Sequence, residues 1–597
     1  MARAATCLFV VRLFVLVGVC CFATTVRAQV TNVSDMEATP IPGAGHNYTG
    51  MLNETVDPAN GSLSVRINVP VPTGRQLTVP FAFAYDSNGA TNSLAINSSG
   101  CNTRYLFQCG WSYTVPMVYS GLPTRLTEKF EGDPVYCTYY SGYVFTDPQG
   151  TRHSFPQVIA VSGSRLPCSE YFGITSNFNG GDAWLSYSAN GVQDAAGTTY
   201  CNPAASICSV EDRNGNMVKY NDSGGGVFTT TDTAGRTLIS SNGFGATGNT
   251  VTVSGLGSPY QLTWGAQVTP NYTLGQVVAY NPEPDYGCTF GGPYVVGNLS
   301  ITLLSVLTLP NGQSYKFYYD STYGLLNEIV YPTGGWVKYT WGMNAQSEAS
   351  VGTYTTQDGQ GPCEFRLGDP VVTKRQVSYN GSTVAEEQDY TYGTTWQEPI
   401  GTSGAQWWTS KTTTVVTKDN VRGISAQTVY TYSPVSTEPP AGARIYVEIQ
   451  VPVENTISYY DWSGSLLKTV TKVWLNQYLL QSETTEWANG QTSEVAYTYG
   501  NLGVVTDKEE YDYGSNGSVG SPLRNTVTNY QTFAANPLGT TIYDRLLRRR
   551  HAGQLADDRA GRADEPVLRR RFLSLRRRAR CDHELRAELQ IRGEGTG

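Results

Sequence analysis

Side chains suited to acid–base or nucleophilic chemistry are scarce in this 597-residue sequence. Only His46 and His153 precede residue 545, and they lie far apart in the chain. A Ser-His-Asp or Cys-His site needs a histidine that a partner orients, and a histidine-rich metal site needs several histidines. We therefore predict a non-enzymatic protein with no catalytic residues, no cofactor and no metal centre. We interpret His153, in a strand-like segment, as structural.

Paired carboxylates could hydrolyse a glycosidic bond without histidine, so the aspartates need a separate account. Six of them start segments in which glycine soon follows: Asp86, Asp147, Asp212, Asp232, Asp320 and Asp461. Aspartate side chains in such turns accept hydrogen bonds from their own backbone. The segment 212–216 could be a calcium loop, but it lacks the alternating acids and distal glutamate of an EF-hand. We predict that all six form turns.

Aromatic residues are the third group that could bind a ligand, because the chain contains 40 Tyr and 11 Trp. Trp407 and Trp408, near Trp396, could form a platform on which sugar rings stack. Alternatively, aromatic side chains in a β-rich chain pack against their neighbours. The sequence leaves both interpretations open, and surface glycans are the partners that the first one predicts.

The cysteines indicate an oxidising compartment. Of 12 Cys, eight lie in the body of the chain: Cys101, Cys109, Cys137, Cys168, Cys201, Cys208, Cys288 and Cys363. An even number of cysteines in an exported chain predicts disulfides, although the connectivity cannot be deduced from sequence. Cys101/Cys109 and Cys201/Cys208 are close enough in sequence to form local disulfides. Their spacing is not that of a zinc site.

The amino terminus has the features of a secretory leader. Arg3 and Arg12 precede an apolar run from Leu13 to Val26, which is too short to span a bilayer. Small residues at the positions before a cut predict cleavage after Ala28. We assign residues 1–28 to a signal peptide and 29–54 to a linker. We expect a secreted or cell-surface protein with no transmembrane anchor once the leader is removed.

The elements that carry these residues are predicted to be strands. The 63 Gly and 40 Tyr against six Met favour pleated strands joined by tight turns. The clearest unit runs from Leu309 to Trp341, where Asn311-Gly312 supplies a turn. Tyr315, Phe317 and Tyr319 should share one face of the strand that follows. We predict a β-meander here and an all-β chain with no sizeable helical domain.

Degenerate repeats of this kind recur along the chain. They include Tyr85-Asp86-Ser87-Asn88-Gly89, Asp212-Arg213-Asn214-Gly215-Asn216, Asp232-Thr233-Ala234-Gly235-Arg236 and Tyr319-Asp320. Together with the segments 56–89, 110–116 and 143–155, these units resemble the RHS/YD repeats of bacterial surface and toxin proteins. The resemblance covers most of the chain from about residue 55 to residue 543.

The resemblance implies an architecture and a function. It implies an array of β-hairpins that winds into a spiral shell, which in that family can enclose a toxic or effector domain, while related repeats in animals mediate adhesion. The expected function is therefore a structural shell or surface interaction module, the N-terminal part of a polymorphic toxin. An effector domain supplied by a longer chain would be its partner. A carbohydrate-binding adhesin that uses exposed Trp and Tyr is the alternative.

The composition changes abruptly after Asp544. From residue 545 onward there are 15 Arg, eight acidic residues and no Lys, which gives +7 and leaves −15 for the preceding chain. The acidic body argues against nucleic acid as a partner. We assign 55–300 to a cysteine-containing β-rich region and 301–544 to the repeat region. We interpret 545–597 as an Arg-rich tail that is out of frame or disordered. A basic binding arm is the alternative for the tail.

Overall fold

The computed structural model describes the central part of the chain. The described residues are 53–96, 107–115, 117–119, 123–130, 133–140, 143–148, 152–155, 159–162, 177–179, 185–188, 191–194, 197–200, 207–274, 276–280, 294–296, 300–344, 350–355, 362–367, 369–396, 408–436, 450–476, 479–500, 504–533 and 542–551. The predicted leader, the linker up to residue 52 and the tail from residue 552 lie outside them. Every structural statement below refers to the described residues.

Strands form most of the described chain, as predicted. The first half contains β1 (Glu54–Val56), β2 (Leu63–Val69), β3 (Phe81–Asp86), helix α1 (Ser87–Ile96), β4 (Phe107–Gln108), β5 (Trp111–Tyr113), β6 (Met117–Tyr119), β7 (Pro123–Phe130), β8 (Asp133–Tyr140), β9 (Tyr143–Thr146), β10 (Arg152–Phe155), β11 (Ile159–Ser162), β12 (Asn177–Asn179), β13 (Leu185–Ser188), β14 (Gly191–Asp194), β15 (Thr199–Tyr200), β16 (Ile207–Glu211), β17 (Met217–Asp222), β18 (Val227–Asp232), β19 (Thr237–Asn242), β20 (Asn249–Val253), β21 (Tyr260–Val268), β22 (Tyr272–Leu274), β23 (Gln276–Tyr280) and β24 (Tyr294–Val296).

The second half contains longer strands. They are β25 (Ile301–Thr308), β26 (Ser314–Tyr319), β27 (Leu326–Val330), β28 (Trp336–Asn344), β29 (Ser350–Thr355), β30 (Pro362–Leu367), β31 (Asp369–Ser378), β32 (Glu386–Trp396), β33 (Trp408–Asp419), β34 (Ile424–Ser436), β35 (Gln450–Tyr460), β36 (Leu466–Asn476), β37 (Leu479–Trp487), β38 (Thr492–Tyr499), β39 (Val505–Tyr511), β40 (Pro522–Phe533) and β41 (Ile542–His551). Strand β41 pairs with β40 and crosses the predicted boundary at residue 545. The origin of the tail stays a prediction.

One antiparallel sheet dominates the architecture. It has 25 strands that follow chain order from β12 to β41, with β22–β24 and β29–β30 set aside in small sheets. Two further small sheets contain β6, β9 and β10, and β7, β8 and β11. We refer to the 25-stranded sheet as the long sheet. Its order is that of successive hairpins, which is the arrangement that the repeated strand–turn–strand units predict.

The meander predicted between Leu309 and Trp341 is confirmed by β26, β27 and β28. Gly312 has a φ of 83°, a conformation that favours glycine, and the Leu309 N–H donates to the Gln313 carbonyl across the turn at 2.8 Å. Phe317 is buried while Tyr318, on the opposite face, is half exposed. The predicted alternation of side chains therefore fixes which face of the sheet meets the core.

The amino-terminal strands form a separate sheet of five strands, in the order β1-β2-β3-β5-β4. We call it the N-terminal sheet. Its strand β2 alternates buried and more exposed residues, with Leu63, Val65, Ile67 and Val69 all facing inward. The buried side chains of the N-terminal sheet and the long sheet belong to one apolar cluster. Burial of this shared apolar surface is the main force that holds the two sheets together.

Helix α1 corrects the sequence analysis locally. The unit Tyr85-Asp86-Ser87-Asn88-Gly89 was predicted to be a turn between strands, but the chain enters α1 directly after Asp86. The Asp86 carboxylate accepts a hydrogen bond from the Asn88 N–H at 3.0 Å, which is the role of a helix N-cap. A Y-D-x-x-G segment can therefore start a helix as well as a turn, because both use an aspartate to accept the first backbone N–H groups.

Candidate functional site

Buried charges lie where the N-terminal sheet meets the long sheet. The Arg375 guanidinium on β31 donates to both carboxylate oxygens of Glu54 on β1, at 2.6 and 3.2 Å. It also donates to Glu386 at 3.1 Å and to Gln388 at 3.0 Å on the neighbouring strand β32. Arg375 and Glu54 are both buried. Four of the five N–H groups of the guanidinium donate to these three side chains, and these contacts tie the two sheets together.

The pKa of Arg375 is consistent with a structural role. Burial disfavours its charged form, but the facing Glu54 carboxylate outweighs that effect and raises the pKa above its ordinary value. Arg375 therefore stays charged at every pH at which the protein is folded. A guanidinium that stays charged stabilises the structure through its hydrogen bonds and does not act as an acid or a base.

Aromatic side chains form the rest of this junction. Trp111 Nε1 donates to the Tyr319 hydroxyl at 2.8 Å, and Tyr319 donates in turn to the Leu304 carbonyl at 2.6 Å. The rings of Trp111 and Phe317 meet edge to face with centroids 4.7 Å apart. Tyr113 lies in a similar contact with Phe244 at 4.6 Å. These hydroxyl and indole groups satisfy each other, as buried polar groups must.

The turn-forming aspartates behave as predicted at four positions. Asp212, Asp232, Asp320 and Asp461 each accept hydrogen bonds from backbone N–H groups two to four residues further on. For Asp461, hydrogen bonds from Ser463 and the following backbone lower the pKa of the carboxyl. Their oxygens are used within their own turns, which supports a structural interpretation.

Trp396 and Trp408, two of the three tryptophans predicted to stack on sugars, lie at one edge of the long sheet, where the strands end. Trp408 is fully buried and pairs in register with Trp396, which is partly buried. The Lys411 ammonium lies 4.9 Å from the centroid of the Trp408 ring. A buried ring has no free face for a sugar, so Trp408 does not suit the role predicted for it. Trp407 lies outside the described residues, and the role of Trp396 stays a prediction.

The cysteine predictions fall mainly outside the described side chains. Cys109 is buried and has a φ of 47°. Cys137, Cys208 and Cys363 lie on strands whose side chains at these positions are not described, and Cys101, Cys168, Cys201 and Cys288 lie outside the described residues. The disulfides stay a prediction. His153 lies on β10, opposite Phe145 of β9.

No group of three or more His, Cys, Asp or Glu side chains is arranged to hold a metal ion among the residues that the structure describes. Within the same residues, no helix has the length and apolar character needed to cross a membrane.

An ionic network covers the face of the long sheet opposite Arg375. Because successive strand residues point to opposite faces, Lys374 lies on the other side of β31. Lys374 and Lys418 both contact Glu387, at 2.9 and 2.8 Å, and both contact Asp389, at 3.1 and 2.5 Å. Hydrogen bonds from Lys418 and Lys374 lower the pKa of Glu387 to about 2. The network joins β31, β32 and β33 side by side.

At the margin of the long sheet opposite Trp396, a row of hairpin turns connects the ends of neighbouring strands. Every second turn of the long sheet lies there, at 379–385, 420–423, 461–465, 488–491 and 512–521. We call this the turn edge. Neighbouring turns contact each other through the backbone: the Asn420 N–H donates to the Ala385 carbonyl at 2.9 Å, and the Gly517 N–H donates to the Gly490 carbonyl at 3.1 Å. These contacts join the first two turns to each other and the last two turns to each other.

Exposed aromatic rings are concentrated on the turn edge. The exposed fractions are 60% for Tyr379, 71% for Trp462, 40% for Trp487 and 50% for Tyr513, and Val421 reaches 81%. Trp462, Trp487 and Tyr513 were not among the residues predicted from the sequence to bind a ligand. The signal was available for Trp462, because a tryptophan inside an Asp-Trp-Ser-Gly turn has no strand face on which to bury its ring.

Comparisons with known proteins give weak likenesses only. No protein-family model and no curated protein matches the chain. Among solved structures it is similar to a crystal structure of TcdB2-TccC3-TEV, with 12% identity over 83% of this chain and a TM-score of 0.12. It is also similar to the Photorhabdus luminescens Tc holotoxin pore with a TccC3 mutation, with 10% identity over 85% of this chain and a TM-score of 0.10. The matches span 17% and 28% of those two chains. The structural neighbours are thus Tc toxin components, at similarities too low to assign a family.

Proposed function

We propose that the chain is an exported, non-catalytic protein of the RHS/YD-repeat type, whose long sheet forms the wall of a shell and which serves as the N-terminal part of a toxin-related assembly. One observation carries the proposal. The N-terminal sheet is docked on one face of a 25-stranded antiparallel sheet and tied there by the buried Glu54–Arg375 pair. A docked layer on one face gives the long sheet distinct inner and outer sides, which a shell requires.

The polar chemistry of the described residues supports a non-catalytic role. The Arg375 guanidinium donates to Glu54, Glu386 and Gln388. The turn aspartates accept hydrogen bonds from backbone N–H groups. Trp111 donates a hydrogen bond to the Tyr319 hydroxyl. Buried polar groups used in this way stabilise the fold and are not poised for proton transfer.

Electron cryo-microscopy of the full chain, purified from the culture medium, tests the shell. We expect a curved wall around an enclosed volume, with the N-terminal sheet on its inner side. A flat or extended ribbon would overturn the proposal, and so would retention of the chain in the cytoplasm with its leader intact.

Sequencing the coding DNA across the codon for Asp544 tests the link to a toxin. We expect another frame to resume the repeats and to end in a distinct domain. If the frame continues without interruption into the Arg-rich tail, the effector partner loses its support.

A further inference from the structure

Three exposed rings stand on successive hairpins of the turn edge. Trp462 lies in the turn between β35 and β36, Trp487 at the turn between β37 and β38, and Tyr513 in the turn between β39 and β40. We call these three residues the aromatic margin. Equivalent points on successive hairpins are two strand spacings apart, roughly 10 Å. Exposed aromatic side chains on three successive hairpins suit an extended ligand that runs along the edge.

The rings are held in place by their own turns. The Asp461 carboxylate accepts from the Ser463 N–H at 2.8 Å and from the Ser465 N–H at 2.9 Å, which fixes the loop that carries Trp462. The Trp487 N–H donates to the Gln491 carbonyl at 2.9 Å, and Trp487 Nε1 lies 3.3 Å from the Tyr513 hydroxyl. Because the turns are already ordered, a ligand that stacks on these rings loses little free energy to ordering.

The charges around the margin argue against an anionic ligand. Asp461, Glu486 and Asp512 flank the rings and are exposed or partly exposed. The nearby Lys468 ammonium is held over the Tyr459 ring at 4.7 Å and the Trp487 ring at 5.6 Å. A single-stranded nucleic acid would need cations along its backbone as well as stacking surfaces. The acidic flank instead suits a neutral ligand with many hydroxyl groups.

The exposure of the rings also argues against a protein partner as the occupant. Protein interfaces concentrate their binding energy in a few desolvated pockets, and the contacts around these pockets exclude water. Here the rings lie at exposed turns, and Trp487 donates a hydrogen bond to Tyr513. Carboxylates and the hydrogen-bonded amides of Asn489 and Gln491 lie beside them. Rings that offer an apolar face and a polar edge, next to amide and carboxylate groups, match the apolar faces and hydroxyl rims of sugars.

We propose that the aromatic margin binds an extended, neutral polysaccharide, with sugar rings stacked on Trp462 and Trp487 and hydroxyl groups bonded near Tyr513. This binding site is separate from the shell function proposed above and does not depend on it. It places the contact at the turn edge and not at the opposite edge, where Trp396 and Trp408 lie. Strands β35–β40 would act as a rigid support for the ligand.

Co-sedimentation of the full chain with insoluble polysaccharides (cellulose, chitin and xylan), followed by titration calorimetry with soluble oligosaccharides of any that binds, tests the proposal. The expected losses are about three- to tenfold in affinity for Trp462→Ala and for Trp487→Ala, and a larger loss for the double variant. Val421→Ala removes an exposed apolar side chain from the same edge and should bind like the wild type. Unchanged melting temperatures for all variants would confirm that they are folded.

Three results would overturn the proposal. The first is no binding to any of the polysaccharides. The second is full binding by the Trp462→Ala/Trp487→Ala variant, or an equal loss in Val421→Ala. The third is binding that weakens steeply as salt is raised, because that dependence belongs to an anionic ligand and not to a neutral one.

Discussion

Arg375 and Glu54 form a buried, doubly hydrogen-bonded ion pair although 321 residues separate them in the chain. The contact joins the first strand of the N-terminal sheet to the middle of the long sheet. Charged pairs buried in this way are costly to break, because the partner that remains is left charged without water. The pair is therefore the most sensitive point at which to test how the two sheets are coupled.

Replacing one member of the pair should loosen the N-terminal sheet. We expect Arg375→Met to lower the free energy of unfolding by about 3–5 kcal/mol, because it leaves the buried Glu54 carboxylate without its cationic partner. Urea unfolding would measure the loss, and hydrogen exchange should show it first in β1 and β2. Arg422→Met is the control, since Arg422 is exposed and meets Asp419 only at 3.6 Å. Equal effects of the two changes would contradict the role of the pair.

Gly61 should tolerate no side chain. Its φ is 72°, and an added Cβ would lie 2.5 Å from the Val371 Cβ. We expect Gly61→Ala to cost roughly 2–5 kcal/mol of stability from strain and overpacking together. Gly235→Ala is the control. Its φ of 77° imposes the same backbone strain, but the added Cβ would have no atom within 4 Å. The difference in stability between the two variants therefore measures the packing contribution at Gly61. Similar melting temperatures for both variants would show that the N-terminal sheet is not tightly docked at Gly61.

The Glu387 network predicts a loss of stability in acid. The pKa of Glu387 falls from its ordinary value of 4.5 to about 2 through Lys418 and Lys374. A carboxyl with a lowered folded-state pKa stabilises the fold above the unfolded value, and the stabilisation disappears as the pH falls from about 4.5 to about 2. We expect Glu387→Gln to remove about 1 kcal/mol at neutral pH, allowing for partial exposure of the lysines. Urea midpoints across this pH range should then vary less than in the wild type.

A second variant sharpens the pH test. Lys418→Met removes the donor with the largest effect on the pKa of Glu387. It should therefore also reduce the change in the urea midpoint over the same acidic pH range. Parallel pH profiles for the wild type and both variants would mean that Glu387 is not bound by these lysines in solution.

Trp111 and Tyr319 should be energetically coupled. Their hydrogen bond of 2.8 Å joins β5 to β26. A double-mutant cycle with Trp111→Phe and Tyr319→Phe should give a coupling free energy of about 1 kcal/mol. Additive effects of the two changes would indicate that water satisfies these groups instead.

Local patterns were sufficient to predict much of the fold. The meander around Phe317 and the turn at Asp461 depend on alternation and turn chemistry within a few residues, and both are confirmed. Helix α1 was missed because Ser87-Asn88-Gly89 favours a turn locally, and the capping contact of Asp86 became visible only in the structure.

The candidate sites were harder to predict, because exposure depends on distant neighbours. Trp408 is one of the tryptophans that we predicted to stack on sugars, but its ring is buried. Trp487 lies at a strand end, and its ring is exposed. The pairing of Glu54 with Arg375 has no local signal at all. Sequence periodicity indicates which side of a strand faces inward, but not which other strand covers it.

The docking of β1 also affects the order in which the chain can fold. A protein is synthesised from its amino terminus, so Glu54 leaves the ribosome long before Arg375 exists. The N-terminal strands must wait, with their apolar faces uncovered, until the middle of the long sheet has formed. Contacts between residues so far apart in the sequence slow folding and prolong the lifetime of aggregation-prone intermediates. The N-terminal sheet should therefore reach its final packing late in folding, after β31 has formed.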